Sequence, residues 1–149
     1  MQDSLPADAT SAGQVTRTIL PSATMLLEFH RSLIKDHGGT SGVRNADALD
    51  AAVGRGRHIE NYVENADVFD IAAAVAVSIT KHRHPFADGN KRVGFVAAVT
   101  IIDVNGYHLD VREAEATKVM FGVAAGDIDE DRLAKWFRDN SIENDDDFD

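Results

Sequence analysis

The run VGFVAAVTIIDV at residues 93 to 104 constrains the fold more than any other part of the chain. Every position in it is apolar except Gly94, Thr100 and Asp103. A helix that is apolar around its whole circumference must be covered on all sides, so this run predicts the central helix of a bundle. Gly94 costs such a helix about 1 kcal/mol relative to alanine, which is tolerable where another backbone passes close by.

Three more helices are predicted between residues 22 and 83 from apolar positions at helical spacing. The first is capped by Ser22 and stopped by Gly38, and a short second one is capped by Asn45 and ended by Gly54. The third spans about 68 to 82. Their apolar faces are formed by Leu26, Phe29 and Leu33, by Ala48, Leu49, Ala52 and Val53, and by Val68, Ile71, Ala72, Val75, Ala76 and Ile79. Residues 55 to 66 lack such a face, and we expect a loop or small hairpin there.

Two helices are predicted after the central one. Asp110 and Glu113 have the spacing of a capping box, which opens a helix to about Ala125. Asp129 can cap the last helix, whose inward face carries Leu133, Trp136 and Phe137. The fold class is therefore an all-α bundle. We expect one folded domain over residues 22–140, a flexible polar segment over 1–21 and a flexible acidic tail over 141–149.

Charge and composition limit the function. The net charge of -10 argues against a general nucleic-acid or anionic-membrane binder, because both reward a basic surface. The chain has no cysteine, its N-terminus lacks the pattern of a signal peptide, and its apolar runs are too short to span a bilayer, so we expect a soluble cytoplasmic protein. Against this acidic background, residues 81 to 92 carry four cations and one carboxylate, a formal charge of +3. Such a segment suits a small anion such as phosphate, although a solvated loop balancing nearby acids explains the charge equally well.

The segment HPFADGNKR, residues 84 to 92, leads directly into the central helix. Its second half falls on the first turn of that helix, where free backbone N–H groups and the positive end of the helix dipole bind anions. Gly89 permits a positive φ and a close approach of the backbone to a ligand. Asn90, Lys91 and Arg92 add side-chain donors, of which we expect two to reach the ligand and one to brace the loop. This arrangement predicts a phosphate cradle.

The first half of the segment carries acid–base chemistry. Asp88 is the one carboxylate in the segment that can hold Mg²⁺ through oxygen. His84, which Pro85 should push into an extended conformation, is a candidate general base, and Phe86 is expected to plug the core. Each residue also has a simpler explanation. Asp88 can be a helix cap paired with Arg92, His84 a core histidine and Gly89 only a turn, but these explanations do not account for their clustering.

HPFADGNKR resembles the signature of the Fic/Doc superfamily, and the pair Lys91 and Arg92 resembles its Doc (death-on-curing) branch. The resemblance extends upstream over HGGTSGVRNADALDAAV, residues 37 to 53, and downstream through NGYHL. Fic adenylyltransferases carry glycine where Lys91 stands and a second arginine where Phe95 stands, so this chain departs from them at both positions.

The resemblance implies an all-α Fic fold with the motif loop between two central helices, and a flap upstream of the motif that would fall within residues 55 to 66. It also implies a Doc-like toxin that transfers the γ-phosphate of ATP, with Mg²⁺, to a hydroxyl of elongation factor Tu and is held off by a Phd-like antitoxin. By position, His84 would be the base, Asp88 the Mg²⁺ ligand, and Gly89, Asn90, Lys91 and Arg92 the phosphate site, with Lys91 and Arg92 also stabilising the transferred group. Fic-type transfer of AMP to a protein hydroxyl is the alternative.

Two alternative functions are compatible with parts of this sequence. His82, His84 and Asp88, with His58 or His108 nearby, could ligate a metal for phosphate-ester hydrolysis. A histidine pair at i and i+2 does not share a helix face, so that site would need an extended loop and would leave Asn90 and Lys91 unexplained. A non-catalytic scaffold that only binds an antitoxin is the other rival, and the intact motif counts against it.

Overall fold

The computed structural model describes residues 17–145, and within them it is mostly helical. The helices are α1 (Ala23–His37), α2 (Asp47–Tyr62), α3 (Val68–Val77), a π-helix (Ser78–Arg83), α4 (Asn90–Val104), α5 (Glu113–Ala125) and α6 (Glu130–Asp139). A two-stranded antiparallel sheet joins β1 (Tyr107–Leu109) to β2 (Ser141–Glu143). The all-α prediction is confirmed, and the small sheet is the feature it missed. None of these helices is long and apolar enough to cross a membrane.

Helix α4 lies in the middle of the bundle, as its sequence predicts. Val93, Ala97, Ala98, Ile101 and Ile102 are fully buried in it. Its main neighbour is α3, which also packs against α2 and α6 and is buried along most of its length. A Cβ atom added to Gly94 would lie 3.1 Å from the carbonyl oxygen of Ala76 and would overlap the Thr80 hydroxyl. Gly94 therefore marks a close approach of α4 to the preceding helix, which confirms the expectation for this glycine.

The predicted caps of the first and last helices are present. Ser22 Oγ accepts a hydrogen bond of 3.1 Å from the Met25 N–H, and α1 ends against Gly38 in a positive-φ conformation. Asp129 caps α6 by accepting from the Arg132 N–H at 2.9 Å. Short polar side chains at these positions accept hydrogen bonds from N–H groups that a helix N-terminus leaves unpaired. The sequence therefore located the starts of α1 and α6 correctly.

Helix α2 is longer than predicted, so the expected loop or hairpin is wrong for residues 55–62, while residues 63–66 do form a turn. Asn45 does accept from the Asp47 N–H at 3.1 Å, but the helix continues through Gly54 and Gly56 to Tyr62. A Cβ atom on Gly56 would lie 2.7 Å from Cγ2 of Val75, so the glycine lets α2 pack closely on α3. Tertiary packing outweighs the low helix propensity of two glycines here.

The capping box predicted at Asp110 and Glu113 is wrong as well. Helix α5 begins at Glu113 after Arg112, without a side-chain cap. The Asp110 N–H instead donates to the carbonyl of Asn140 at 2.9 Å, next to the pairing of β1 with β2. Residues 107–110 are thus used by the small sheet, whose second strand comes from the start of the acidic tail.

The ends of the described chain make specific contacts. The Thr18 N–H donates to Glu60 at 2.7 Å, and the Ile19 N–H donates to Asn105 at 2.8 Å. The flexibility expected of residues 1–16 and 146–149 lies outside the described residues. The domain limits at 22 and 140 stay a prediction.

Candidate active site

The motif loop follows a π-helix. Helix α3 passes into it at Ser78, and it ends at Arg83, where His84 adopts a left-handed conformation with φ 47° and ψ 57°. The extended conformation expected for His84 is therefore wrong. Pro85 disfavours only the right-handed helical region for the residue before it, and the left-handed turn is a second way out of that clash. The turn leaves the His84 side chain exposed to solvent.

Segment 38–45, which contains GGTSGVRN, forms one wall of the loop. Val43 and Phe86 make an isolated antiparallel bridge, flanked by hydrogen bonds from the Arg44 N–H to the Pro85 carbonyl (2.7 Å) and from the Ala87 N–H to the Gly42 carbonyl (3.1 Å). The candidate flap at 55–66 is helical up to Tyr62, so the neighbour of the motif is segment 38–45 instead. Phe86 is fully buried, which confirms that it plugs the core.

The wall also contacts His84 directly. Nη1 of Arg44 lies 3.1 Å from Nδ1 of His84. A guanidinium only donates hydrogen bonds, so Nδ1 is the acceptor and a neutral His84 ring carries its hydrogen on Nε2. The lone pair of the imidazole therefore faces Arg44. Sequence reasoning missed this residue, because Arg44 is distant in the chain and looks like an ordinary turn cation.

Asp88 is exposed and held by two backbone donors. Its Oδ2 accepts from the Thr40 N–H at 3.1 Å and its Oδ1 accepts from the Gly89 N–H at 2.8 Å. Both hydrogen bonds lower the pKa of the Asp88 carboxyl, and the bond from Thr40 has the larger effect. The positive charges of Arg92 and Lys91 act in the same direction. Asp88 is thus an ionised, oriented carboxylate, and its remaining lone pairs suit a hard cation.

The simpler explanation of Asp88 as a cap paired with Arg92 is not supported by the contacts. The residue at the N-cap of α4 is Gly89, and no side chain caps this helix. Arg92 makes its contact with the Gly38 carbonyl, at 3.4 Å. The position of Gly39 is also special, because a Cβ atom there would lie 2.7 Å from Oδ2 of Asp88 and its φ is 118°. Only glycine allows Thr40 to reach the carboxylate from this side.

The N-terminus of α4 has the form expected of an anion site. Gly89 has φ 87° and ψ 11°, and its carbonyl accepts the first helical hydrogen bond from the Val93 N–H at 3.0 Å. The N–H groups of Asn90, Lys91 and Arg92 precede that bond and are the first-turn donors of the helix. Arg92 is exposed, and Nζ of Lys91 lies 4.9 Å from the centre of the Phe121 ring.

Asn90 is the residue of this turn that braces the loop. Its side chain is buried, with Oδ1 accepting from the Phe86 N–H at 3.0 Å and Nδ2 donating to the Phe86 carbonyl at 2.9 Å. Both ends of the amide are engaged, so Lys91, Arg92 and the backbone donors are the groups left to face an anion.

Sequence reasoning also missed His30 of α1. Its ring is buried and stacks on Phe86 with centroids 3.9 Å apart, and its Nε2 lies 2.8 Å from the carbonyl oxygen of Asp88. A histidine on the apolar face of α1, one helical turn from Leu26 and Leu33, was the available signal.

Comparison with known proteins agrees with this geometry. The model of the Fic/DOC family matches residues 20–102. This chain belongs to the Fic/DOC family. The matched part contains α1 to α3, the motif loop and most of α4, so membership of the family rests on the elements that form the site.

Two named relatives of the chain are Doc proteins. The chain is 28% identical to "Protein kinase doc" of Escherichia phage P1 over 113 residues, which covers 76% of this chain and 88% of that protein. It is 38% identical to "Toxin Doc" of Mycolicibacterium smegmatis over 102 residues, or 65% of this chain and 76% of that protein. Among solved structures, the Bartonella tribocorum effector BepC, determined with bound AMPPNP, superposes with a TM-score of 0.53 at 15% identity over 83% of this chain and 76% of its own. The last similarity shows the fold.

The alternative function, a metal-dependent phosphohydrolase, requires a cluster of metal-ligating side chains. Within residues 17–145, no three histidine or acidic side chains are grouped so that they could hold a metal ion. His58 packs beside Tyr62 on α2, and His108 points outward from β1. The Fic/DOC motif instead places one histidine, one carboxylate and a helix N-terminus on one short loop.

Proposed function

We propose that this protein is a Doc-like toxin, a protein kinase that transfers the γ-phosphate of ATP to a serine or threonine hydroxyl of an elongation factor Tu-like protein and so arrests translation. The observation that carries the proposal is the oriented, ionised Asp88 beside the uncapped N-terminus of α4, with His84 exposed at the other end of the same short loop. A carboxylate, a base and an anion site within nine residues are the parts that phosphoryl transfer requires.

The proposed roles follow from these positions. Asp88 would hold Mg²⁺, which neutralises phosphate charge when bound. The first-turn donors of α4, with Lys91 and Arg92, would bind the phosphates, while Gly89 allows their approach and Asn90 keeps the loop in shape. His84 would take the proton of the attacking hydroxyl. For that step Arg44 must leave Nδ1 or the ring must turn, because the lone pair of the ring faces the guanidinium.

Phosphoryl transfer is favoured over AMP transfer by Lys91. In the Fic enzymes that this chain resembles, glycine occupies this position, and a lysine side chain fills space that an α-phosphate would need. Lysine also brings positive charge to a phosphoryl group in flight. Phe95, where those enzymes carry a second arginine, packs against the hydrophobic core and supplies no charge. The relative named as a protein kinase supports the same choice.

A Phd-like antitoxin is the partner we propose for control of the enzyme in the cytoplasm. A groove of about 280 Å³ lies beside the motif loop between α1 and segment 38–45, lined by Leu27, Ile34 and Val43 among others. Its lining is mainly apolar and also includes the cations Arg31 and Lys35, which suits a short antitoxin segment that folds on binding and covers the site. Expression of the chain with and without the neighbouring open reading frame would test this, since we expect toxicity only without it.

The test of the activity is incubation with γ-³²P-ATP or α-³²P-ATP, Mg²⁺ and elongation factor Tu. We expect label from the γ-position alone, and a fall of about 10²- to 10⁴-fold in His84→Ala, which removes the base. His82→Ala is the matched control, because His82 is an exposed histidine two residues away, and it should transfer phosphate normally.

Label from the α-position would establish the adenylyltransferase alternative instead. Undiminished transfer by His84→Ala would remove His84 as the base. Absence of any label with wild-type protein that is toxic in cells and binds its antitoxin would favour the non-catalytic scaffold or a different target.

A further inference from the structure

We propose that His30 is a positioning residue of this site, which sets the direction of the Asp88–Gly89 peptide and thereby the arrangement of the Asp88 carboxylate. The inference rests on the proposed function only for its effect on nucleotide binding. The positioning itself is a property of the free protein. His30 lies on α1, 58 residues before Asp88 in the chain.

The hydrogen bond from His30 fixes one end of a peptide group. The Asp88 carbonyl can only accept, so Nε2 of His30, 2.8 Å away, carries the hydrogen. In a trans peptide the C=O and the following N–H point in opposite directions. With the Asp88 carbonyl turned to the buried His30, the Gly89 N–H points outward and meets Oδ1 of Asp88 at 2.8 Å.

A reversed peptide would have the opposite effect on the carboxylate. The carbonyl dipole would then face Asp88 Oδ1 in place of a donor, and would repel it. Gly89, at φ 87°, is the residue that tolerates such a rotation most easily, because it has no side chain to resist it. A glycine with few steric limits on its backbone thus follows the proposed Mg²⁺ ligand, and the hydrogen bond from His30 restrains the rotation of the peptide between them.

The burial of His30 makes the constraint strong. The side chain is 5% exposed, and its ring lies parallel to that of Phe86, 3.9 Å between centroids and 6° between planes. Phe86 is in turn held by both ends of the Asn90 amide. The stacking limits the rotation of the imidazole, and loss of its N–H would leave the Asp88 carbonyl without this partly buried hydrogen bond.

Two substitutions separate the ring from the hydrogen bond. His30→Phe keeps an aromatic ring on Phe86 and removes the donor. His30→Gln places an amide nitrogen near the position of Nε2 and keeps the donor. His37 is an exposed histidine at the end of the same helix, so His37→Phe is the control for replacing a histidine of α1 by phenylalanine.

The first measurement uses the free protein. Amide hydrogen exchange of Gly89 and Thr40, the two donors to Asp88, is compared by NMR among the variants, with thermal unfolding to show that each is folded. We expect exchange at both amides to be about 10-fold faster in His30→Phe, close to wild type in His30→Gln and unchanged in His37→Phe. Wild-type exchange at both amides in a folded His30→Phe, or equally fast exchange in His30→Gln, would overturn the proposal.

The second measurement is the dissociation constant for AMPPNP with Mg²⁺, which we expect to rise about 10-fold in His30→Phe and to recover in His30→Gln. If wild-type protein does not bind the analogue, the proposed kinase function fails, while the exchange data still decide the role of His30. If His30→Phe binds the analogue as tightly as wild type although Gly89 and Thr40 exchange faster, the link from peptide to nucleotide is wrong.

Discussion

At the scale of single residues, the site depends on side chains and glycines that hold the motif in place from outside it. HPFADGNKR predicts a histidine, a carboxylate and an anion site next to one another, and the structure has them on one loop. The residues that orient them come from elsewhere: His30 from α1, and Gly39, Thr40 and Arg44 from one wall segment. A sequence pattern reports neighbours along the chain, so these contacts across 40 or more residues were not available to it.

Two glycines of the wall segment provide a matched test of how Asp88 is oriented. Both Gly39 and Gly42 have positive φ, but an added Cβ meets Oδ2 of Asp88 at 2.7 Å only at Gly39 and meets nothing within 4 Å at Gly42. We expect Gly39→Ala to displace the carboxylate from the Thr40 N–H and so raise the pKa of Asp88 toward its ordinary value of about 3.9. Gly42→Ala also places alanine at a positive φ, 132°, and should leave that pKa low.

NMR titration of the Asp88 carboxyl carbon measures both variants. In the wild type, the lowered pKa means that Asp88 favours the folded state above its unfolded pKa and loses that effect as the pH falls through the folded value. The same pKa in Gly39→Ala and wild type would show that the Thr40 hydrogen bond does not control this carboxyl.

At the scale of elements, the sequence predicted helices where periodicity and caps agreed, and failed where packing decided. Ser22 and Asp129 located the starts of α1 and α6 because a cap is a local interaction. Gly54 suggested the end of a helix, yet α2 runs past it, because the contact of Gly56 with Val75 lies in α3 and cannot be read from α2 alone. The β1–β2 pair was missed for the same reason, since its strands are three residues long and far apart in the chain.

Replacement of these two glycines by alanine tests the corrected boundary of α2. A Cβ atom on Gly54 meets nothing within 4 Å, whereas one on Gly56 meets Cγ2 of Val75 at 2.7 Å. We expect Gly54→Ala to raise the free energy of unfolding by about 1 kcal/mol through helix propensity. Gly56→Ala should lower it by roughly 1 to 3 kcal/mol, because the methyl group overpacks the interface with α3.

Urea unfolding followed by circular dichroism gives both values. A stabilising Gly56→Ala would mean that α2 and α3 are not closely packed at this point. A destabilising Gly54→Ala would mean that residues 54 to 62 are not helical, as the sequence alone had indicated.

At the scale of the whole molecule, the C-terminal helix is tied to the N-terminus of α3 by one arginine. Arg138 of α6 donates to both oxygens of Asp67 at 2.8 and 3.0 Å and to Asp70 at 3.2 Å. The same two acids form the capping box of α3, the helix that leads into the π-helix and the motif loop. Three partly exposed side chains thus connect the last helix of the bundle to α3, which is followed by the π-helix and then by His84.

This network makes the stability of the protein depend on pH in a defined direction. Partial burial raises the pKa of Asp67, but the hydrogen bonds donated by Arg138 and by the Asp70 backbone N–H outweigh it, so the pKa of Asp67 is lowered. A lowered pKa stabilises the folded state above the unfolded value of about 3.9, and the stabilisation is lost as the pH falls through the folded value. The pKa of Arg138 is raised by the same contacts, so the guanidinium stays charged throughout.

Arg138→Gln should therefore lower the free energy of unfolding at pH 7 by about 1 kcal/mol, a value set by the bidentate geometry and discounted for solvent exposure. The difference from wild type should begin to shrink below the unfolded pKa of about 3.9 and disappear as the pH falls through the lowered pKa of Asp67 in the folded wild type. Lys135→Gln is the control on the same helix, because Lys135 makes an exposed pair with Asp139 and should cost no more than about 0.5 kcal/mol. Urea unfolding of the three proteins at pH 7 and pH 3 gives the comparison. A loss in Arg138→Gln that is equal at both pH values would show that α6 is held by the apolar contacts of Leu133 and Phe137 rather than by this arginine and its acids.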